Sequence, residues 1–403
     1  MQELMPTIRI FIVNLLIIIA LLPNKAYAQS HLDTLSITSY EQLMQTDTLS
    51  NNIFDDAVAR AERILKHITL RTDKVDFAIY PAASYSGQSG LAIGIMPLIR
   101  IKNQQSKHAT IITPSTLVST KKMWELQCDA NIYIRQNNQI EAKLEFFHQP
   151  DNYYGICSVY GGNKQASYHI YRYLLNATYT RTLGEHFRVG AVADFTYHKF
   201  RNIEADTATI YAEIETSAGW SNGAGVVVGF DTRDSHTYTT EGWYAQAKWL
   251  CYDNALGGNK HFSTFMVDVR RYIPVGIASV VAMQAYWSSA VGGEAQFYKM
   301  STFGGTRLGR AIPHCQKYVD HHAWLYQAEM RYPLFWRIGG TVWLGAGNVA
   351  RKANKELVQS VHGMVGTGLR FKAFADKGLN IRIDGGLSTK GDKAIYINVR
   401  EAF

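Results

Sequence analysis

Late in the chain Ala323, Trp324, Leu325, Tyr326, Gln327, Ala328, Glu329, Met330 and Arg331 follow one another, and the reading of this stretch decides the fold. In an extended strand alternate residues share a face. Leu325, Gln327, Glu329 and Arg331 then look one way, and Trp324, Tyr326, Ala328, Met330 and Tyr332 the other. One face is mostly polar and the other almost wholly apolar. Upstream lies a glycine-rich basic stretch from Phe303 through Gly304, Gly305, Arg307, Gly309 and Arg310 to Asp320. Such a loop either folds back to pair Arg310 with the carboxylate of Glu329 or stays in water, where an exposed ion pair adds little.

The same alternation recurs from residue 74 onward. Trp124, Leu126, Cys128, Ala130, Ile132 and Ile134 share one face of a strand and Glu125, Gln127, Asp129, Asn131, Tyr133 and Arg135 the other. Similar segments are 140–147, 187–198, 262–272, 379–384 and 394–403. A soluble sandwich points its apolar faces into a core, whereas a membrane barrel turns them to lipid and keeps a polar lumen. Three features favour the barrel. The segments run about ten residues or slightly more, the length of a tilted membrane-crossing strand. Tyr197, Trp220, Trp243, Trp249, Trp336 and Trp343 stand near strand ends, where interfacial girdles form. Ile395, Ile397, Val399 and Phe403 line one face of the last segment, with Glu401 breaking the row, and a terminal aromatic there resembles the C-terminal signal of outer-membrane proteins. The pattern predicts an all-β chain, a 16-stranded antiparallel transmembrane β-barrel over residues 74–403, with strands from 74–84 to 394–403; bacterial barrels have even strand numbers. Long connections at 149–166, 200–218 and 290–320 fall at one end and tight turns at 183–186, 273–276 and 375–378 at the other.

The first residues read differently. Arg9, the apolar run Ile10 to Leu22 and the small-residue pattern Ala26, Tyr27, Ala28 form a secretory signal peptide over 1–28. Residues 29–73 form a periplasmic arm. Within it Ile53, Ala57, Ala61, Ile64, Leu65 and Ile68 predict an amphipathic helix over 52–70, with Asp55 and Asp56 in its first turn and Lys66 and His67 in its last. Later residues hold no run of about 18 apolar positions, so membrane crossing falls to strands. The formal charge of +8 fits contact with outer-membrane lipids and lipopolysaccharide rather than nucleic acid. No cofactor or metal is expected: His314, Cys315, Asp320, His321 and His322 have ligand chemistry, but their spacing matches no standard site. Cys157 and Cys315 both fall in external loops, where a disulfide is an open alternative. A hydrolase using Ser301 with His314 lacks any motif, so no catalytic residue is assigned. A passive pore stays open, lined by Arg188, Lys248, Arg270, Arg331, Arg370, Arg382 and Arg400 against Asp194, Asp268, Glu329 and Asp384.

Three motifs carry a family resemblance. Gly304 and Gly305 precede an arginine and the run from Ala328 through Glu329, Met330, Arg331 and Tyr332 to Pro333. Gly229, Phe230, Asp231, Thr232, Arg233 and Asp234 precede Gly242, and Leu344 to Val349 follow the Glu-x-Arg strand. Together they resemble the BamA/TamA superfamily of outer-membrane assembly barrels, the bacterial surface antigen family. The resemblance implies that the sixth external loop enters the lumen, with Arg310, or alternatively Arg307, meeting Glu329. It implies that Asp231, Arg233, Asp234 and Gly242 belong to a periplasmic turn, and that unfolded client proteins or periplasmic factors are partners in insertion or translocation. It also implies a weak seam between first and last strands; Pro81 either marks that seam or merely bends the first strand. Ala311 stands where the family has glycine, Ile312 where it has an aromatic residue and Gly345 where it often has aspartate. Residues 29–73 are too short for the family's periplasmic POTRA module, so the reading is of a short member without one. Intact-mass measurement of the protein from outer membranes is expected to give a chain beginning at Gln29; retention of residues 1–28 would overturn the cleavage.

Overall fold

The computed structural model describes residues 69–102, 109–135, 137–156, 163–235, 238–276, 278–293, 295–335, 337–374, 379–399 and 401–403. Sixteen long strands follow in order: β1 (Val75–Ser86), β2 (Gly90–Ile101), β3 (Thr110–Ser119), β4 (Trp124–Ile134), β5 (Asn138–Tyr153), β6 (Ala166–Leu183), β7 (Phe187–Ala205), β8 (Gly219–Asp231), β9 (Gly242–Tyr252), β10 (Phe262–Val275), β11 (Ser279–Val291), β12 (His322–Phe335), β13 (Ile338–Ala350), β14 (His362–Phe374), β15 (Leu379–Ser388) and β16 (Lys393–Val399). Each pairs antiparallel with the next, and β16 meets β1, so the sheet closes into a barrel. Away from the β1–β16 junction the ladders pair the backbone donors and acceptors of neighbouring strands, which lets the strands cross a bilayer.

Alternation sets the two faces. On β12 Leu325, Gln327, Glu329 and Arg331 are buried in the lumen while Tyr326 is exposed. Leu344, Leu369, Ile383 and Ile395 likewise look out, and Arg370, Arg382, Asp384 and Asp194 look in. An apolar outside around a charged inside is the arrangement a bilayer selects. On the outer surface Tyr197 stacks on Tyr173 and packs against Trp220 at the end with the long connections, which supplies interfacial aromatics there.

Trp343 departs from the expected girdle. It follows the alternation against the exposed Leu344 and faces the lumen, 3% exposed. Its register neighbours on the next two strands are Gly366 and Gly386, whose missing side chains leave a groove for the indole. A Cβ on Gly366 would lie 2.2 Å from Trp343 Cζ2, and one on Gly386 2.5 Å from Cη2. Trp336 lies outside the described residues.

Other corrections concern element ends. β5 and β7 run beyond the expected 148 and 199, because their outer ends keep pairing with β6 and pack Tyr153, Tyr168 and Phe200 around Phe297. The connection after β7 contains a helix that the strand pattern did not indicate, α1 (Ala208–Thr216), capped by Thr207 through the Ile210 amide. Ile214 of α1 is fully buried in that aromatic cluster. The last strand ends at Val399, and Ala402 and Phe403 turn inward against Tyr272, Val280 and Ala282. Phe403 is therefore off the face that Ile395 presents to lipid, drawn in by Arg331, whose Nη2 donates to its main-chain oxygen at 2.8 Å. The signal peptide and most of the helix expected over 52–70 lie outside the described residues. Its final residues, Thr69 and Leu70, are extended instead and belong to a short strand, Thr69–Arg71, paired with β1.

The groove argument separates two adjacent glycines. Gly386→Ala is expected to expel the indole and destabilise the barrel by about 1–3 kcal/mol, the usual overpacking cost. Gly385→Ala, with open space around its Cβ, should be tolerated. Denaturant midpoints of the two variants check this.

Candidate functional site

In the connection between β11 and β12, residues 295–321 enter the lumen rather than extending into water. Its base is a small ribbon in which Ser301–Thr302 pairs with Val319–Asp320. The tip turns sharply through Gly304, Gly305 and Gly309, whose φ values of 136°, 82° and 82° favour glycine. Gly305 N donates to Ile312 O and Ile312 N to Gly309 O, each at 3.0 Å, so the tip satisfies its own backbone. Phe303, Ala311 and Ile312 then bury themselves against Leu325, Trp343 and Met364.

This turn carries Arg310 into the wall with its side chain fully buried. Its Nη2 lies 2.6 Å from Glu329 Oε2 and its Nη1 3.4 Å from Asp384 Oδ1. The guanidinium also sits 4.6 Å from the centroid of the Trp343 ring, so the glycine groove serves to place an aromatic face under a cation. Arg307, by contrast, has an exposed side chain, and its main-chain oxygen accepts from Gln327 Nε2 at 2.9 Å.

Around Arg310 charges of opposite sign interleave. Glu329 lies between Arg310 and Arg331, whose Nε is 2.6 Å from Oε1. Asp384 takes Arg310, Arg370 at 2.9 Å and Arg382. Glu401 takes Arg370 Nε at 2.8 Å and lies 3.9 Å from Arg331. Arg382 also donates to Thr306 O in the loop at 2.6 Å. The sequence reading missed Asp384 as a partner of Arg310, although its place on the polar face of an alternating strand was the available signal. Glu401, which breaks the apolar row of the last segment, is with Asp384 one of two carboxylates that hold Arg370.

The loop grips the opposite wall as well. Lys299 pairs with Asp194 and donates to Thr196 Oγ1 at 2.9 Å; Tyr298 Oη donates to Ser217 O at 2.7 Å. On its return it meets β16's approach, where Lys317 pairs with Asp392 and Tyr318 Oη donates to Asp392 Oδ2 at 2.8 Å. Several cations named for a pore are thus paired: Arg188 with Asp231, Arg270 with Asp268, and Arg331 with Glu329. Arg400 lies outside the described residues.

The second motif sits at the other end. Asp231 accepts from Arg188 Nη2 at 2.6 Å and from Arg233 Nε and Nη2 at 2.9 and 2.8 Å. Asp234 accepts from the Thr240 and Glu241 amides at 3.0 and 3.2 Å. Burial pushes the Asp234 carboxyl up, but these bonds and one from the Thr240 hydroxyl outweigh it and hold the carboxyl below its ordinary value. Gly242, at φ 111°, packs so closely that a Cβ would lie 2.3 Å from Thr232 O. The connection lies between Asp231 and Gly242, and within it the Thr239 main-chain oxygen accepts from Arg331 Nη1 at 3.4 Å.

The remaining polar candidates disperse. Ser301 Oγ donates to His321 O at 3.0 Å rather than to His314. His321 pairs with Asp320, and His322 Nδ1 meets Ser289 Oγ at 2.8 Å. Cys157 lies outside the described residues, so the pairing with Cys315 does too.

The seam has its own geometry. β1 pairs with β2 along its whole length, but, among the described residues, with β16 at a single register position, Tyr85 opposite Ile397. Thr72 N donates to Val75 O on one side of β1, and Lys102 N to Lys74 O on the other, both at 2.9 Å. Main-chain groups of successive strand residues point to alternate sides, so Val75, Phe77, Ile79, Pro81, Ala83 and Tyr85 face the seam. Pro81, having no N–H, leaves a gap in that row. Extending the Tyr85 register would bring Glu401 opposite Pro81, and there the chain has already left the sheet.

Residues 133–373, more than half of the chain, match the Omp85 superfamily domain. The chain belongs to the Omp85 superfamily. Its fold is similar to BamA from Haemophilus ducreyi lacking POTRA domains 1-3, at 12% identity and a TM-score of 0.57 over 91% of this chain and 82% of that one. It is also similar to CdiB from Acinetobacter baumannii, at 12% identity and a TM-score of 0.53 over 82% of this chain and 60% of that one. No curated protein matches the sequence. This is an outer-membrane β-barrel.

Breaking a buried ion pair by removing one partner costs about 3–5 kcal/mol. Arg310→Ala is expected to lower barrel stability by that order, and Arg310→Lys, which keeps the charge but not the forked reach to two carboxylates, by less. Heat-modifiable gel mobility against temperature measures both.

Proposed function

We propose that this Omp85 barrel assists the insertion or translocation of outer-membrane or surface components, accepting unfolded client strands at the seam between β1 and β16. The observation that carries this reading is that, among the described residues, a single register position joins those two strands, whereas every other ladder of the barrel has at least seven. An incompletely paired strand edge is a template for another strand: main-chain hydrogen bonds supply affinity with little demand on sequence. The lodged loop supports the same reading. It braces two opposite walls, so the barrel can keep its shape and a filled lumen while the seam is used. The apolar exterior takes lipid, and lipopolysaccharide meets the end with the long connections.

A disulfide across the seam tests this directly. Tyr85→Cys with Ile397→Cys, in a background where native cysteines are serine, joins the two strands where they already pair. In a strain depleted of the native protein, the reduced variant is expected to restore the normal census of outer-membrane proteins and surface lipids. The oxidised variant should fail to restore it. Full restoration by the locked protein would sink the proposal.

A further inference from the structure

The lower half of the β1 edge is not left open. Thr69–Arg71 folds back on it, with Thr69 opposite Ala78, Leu70 opposite Phe77 and Arg71 opposite Asp76. A short turn makes this possible: Thr72 N donates to Val75 O at 2.9 Å, and Val75 N donates to Thr72 Oγ1 at 2.9 Å. Lys102 fastens the turn from β2, with Nζ 3.2 Å from Thr72 O and 3.2 Å from Asp76 Oδ1. By the alternation already described, Phe77 directs its amide and carbonyl to the seam side, and Leu70 is the residue opposite them. Pro81 divides the edge. Above it β16 pairs at Tyr85; below it the chain's own upstream residues pair at Asp76 to Ala78.

We propose that Thr69–Arg71 is an internal competitor strand, occupying the part of the β1 edge that an incoming strand would use and yielding it only on displacement. This rests on the seam reading above. Three features suit the segment to the task. Its described part is three residues long, so the hydrogen bonds seen there are few and individually replaceable. Leu70 is 63% exposed, so no packed core holds it down. It is covalently tethered through a turn of a few residues, so it returns to the edge whenever the edge empties. A longer strand arriving from solution exchanges the same main-chain bonds for a greater number of them.

The test uses the full chain in lipid nanodiscs. Leu70→Pro removes the main-chain donor opposite Phe77 without touching the barrel, and Thr69→Cys with Ala78→Cys, in a cysteine-free background, locks the segment in place. One readout is hydrogen exchange at the Phe77 amide. The other is binding of a synthetic amphipathic strand peptide ending in phenylalanine. Leu70→Pro is expected to raise Phe77 exchange at least tenfold and peptide affinity at least threefold. Oxidation of the double-cysteine variant should lower affinity at least threefold and reduction restore it. Unchanged Phe77 exchange in Leu70→Pro, or failure of the two cysteines to join, overturns the pairing. Peptide binding that is equal in wild type, Leu70→Pro and the locked variant overturns the competition alone. Absence of binding in all of them overturns the seam reading as well.

Discussion

The structure depends on a guanidinium taken wholly out of water. Arg310 has no exposed side-chain surface, and a lone cation so placed would cost several kcal/mol. Glu329 and Asp384 supply opposite charge from two different strands, and Trp343 supplies a ring face. None of these three can meet Arg310 unless the loop enters the lumen, and the loop cannot turn back so tightly without Gly304, Gly305 and Gly309. The two wall glycines beside Trp343 belong to the same device, because without them the indole has no place to lie.

From that centre a continuous chain of polar contacts reaches the seam. Glu329 holds Arg310 with one oxygen and Arg331 with the other; Arg331 in turn holds the main-chain oxygens of Phe403 and Thr239. The loop, the segment after the Asp231 motif and the inward end of the chain therefore share one hub, although they are far apart in sequence. Glu401 ties the same end of the chain to Arg370. The departure of residues 401–403 from the sheet thus has a physical cause, the buried arginines that they satisfy.

Strict alternation made the barrel legible. The sides assigned to Leu325, Gln327, Glu329 and Arg331 need only the two-residue period of a strand, and the lumen position of Arg310 needed the motif resemblance besides. What escaped the reading depends on which residues lie across from one another. Trp343 faces inward over Gly366 and Gly386, and cross-strand register cannot be counted from one strand alone. Asp384 meets Arg310 across 74 positions of sequence. Ile214 marks a helix only because an aromatic cluster waits to receive it, and nothing within Ala208–Thr216 announces that cluster. Leu70, apolar and at helical spacing, pairs as a strand because the β1 edge beside it offers hydrogen bonds that periodicity does not register.

The central claim is that the loop fills and braces the lumen. Single-channel conductance in planar bilayers tests it most directly, comparing the purified barrel with a variant in which residues 303–318 are replaced by a short glycine-serine link. The intact barrel is expected to hold no steady conductance and the shortened one to open a wide, stable channel. Equal, large conductance in both would contradict the account.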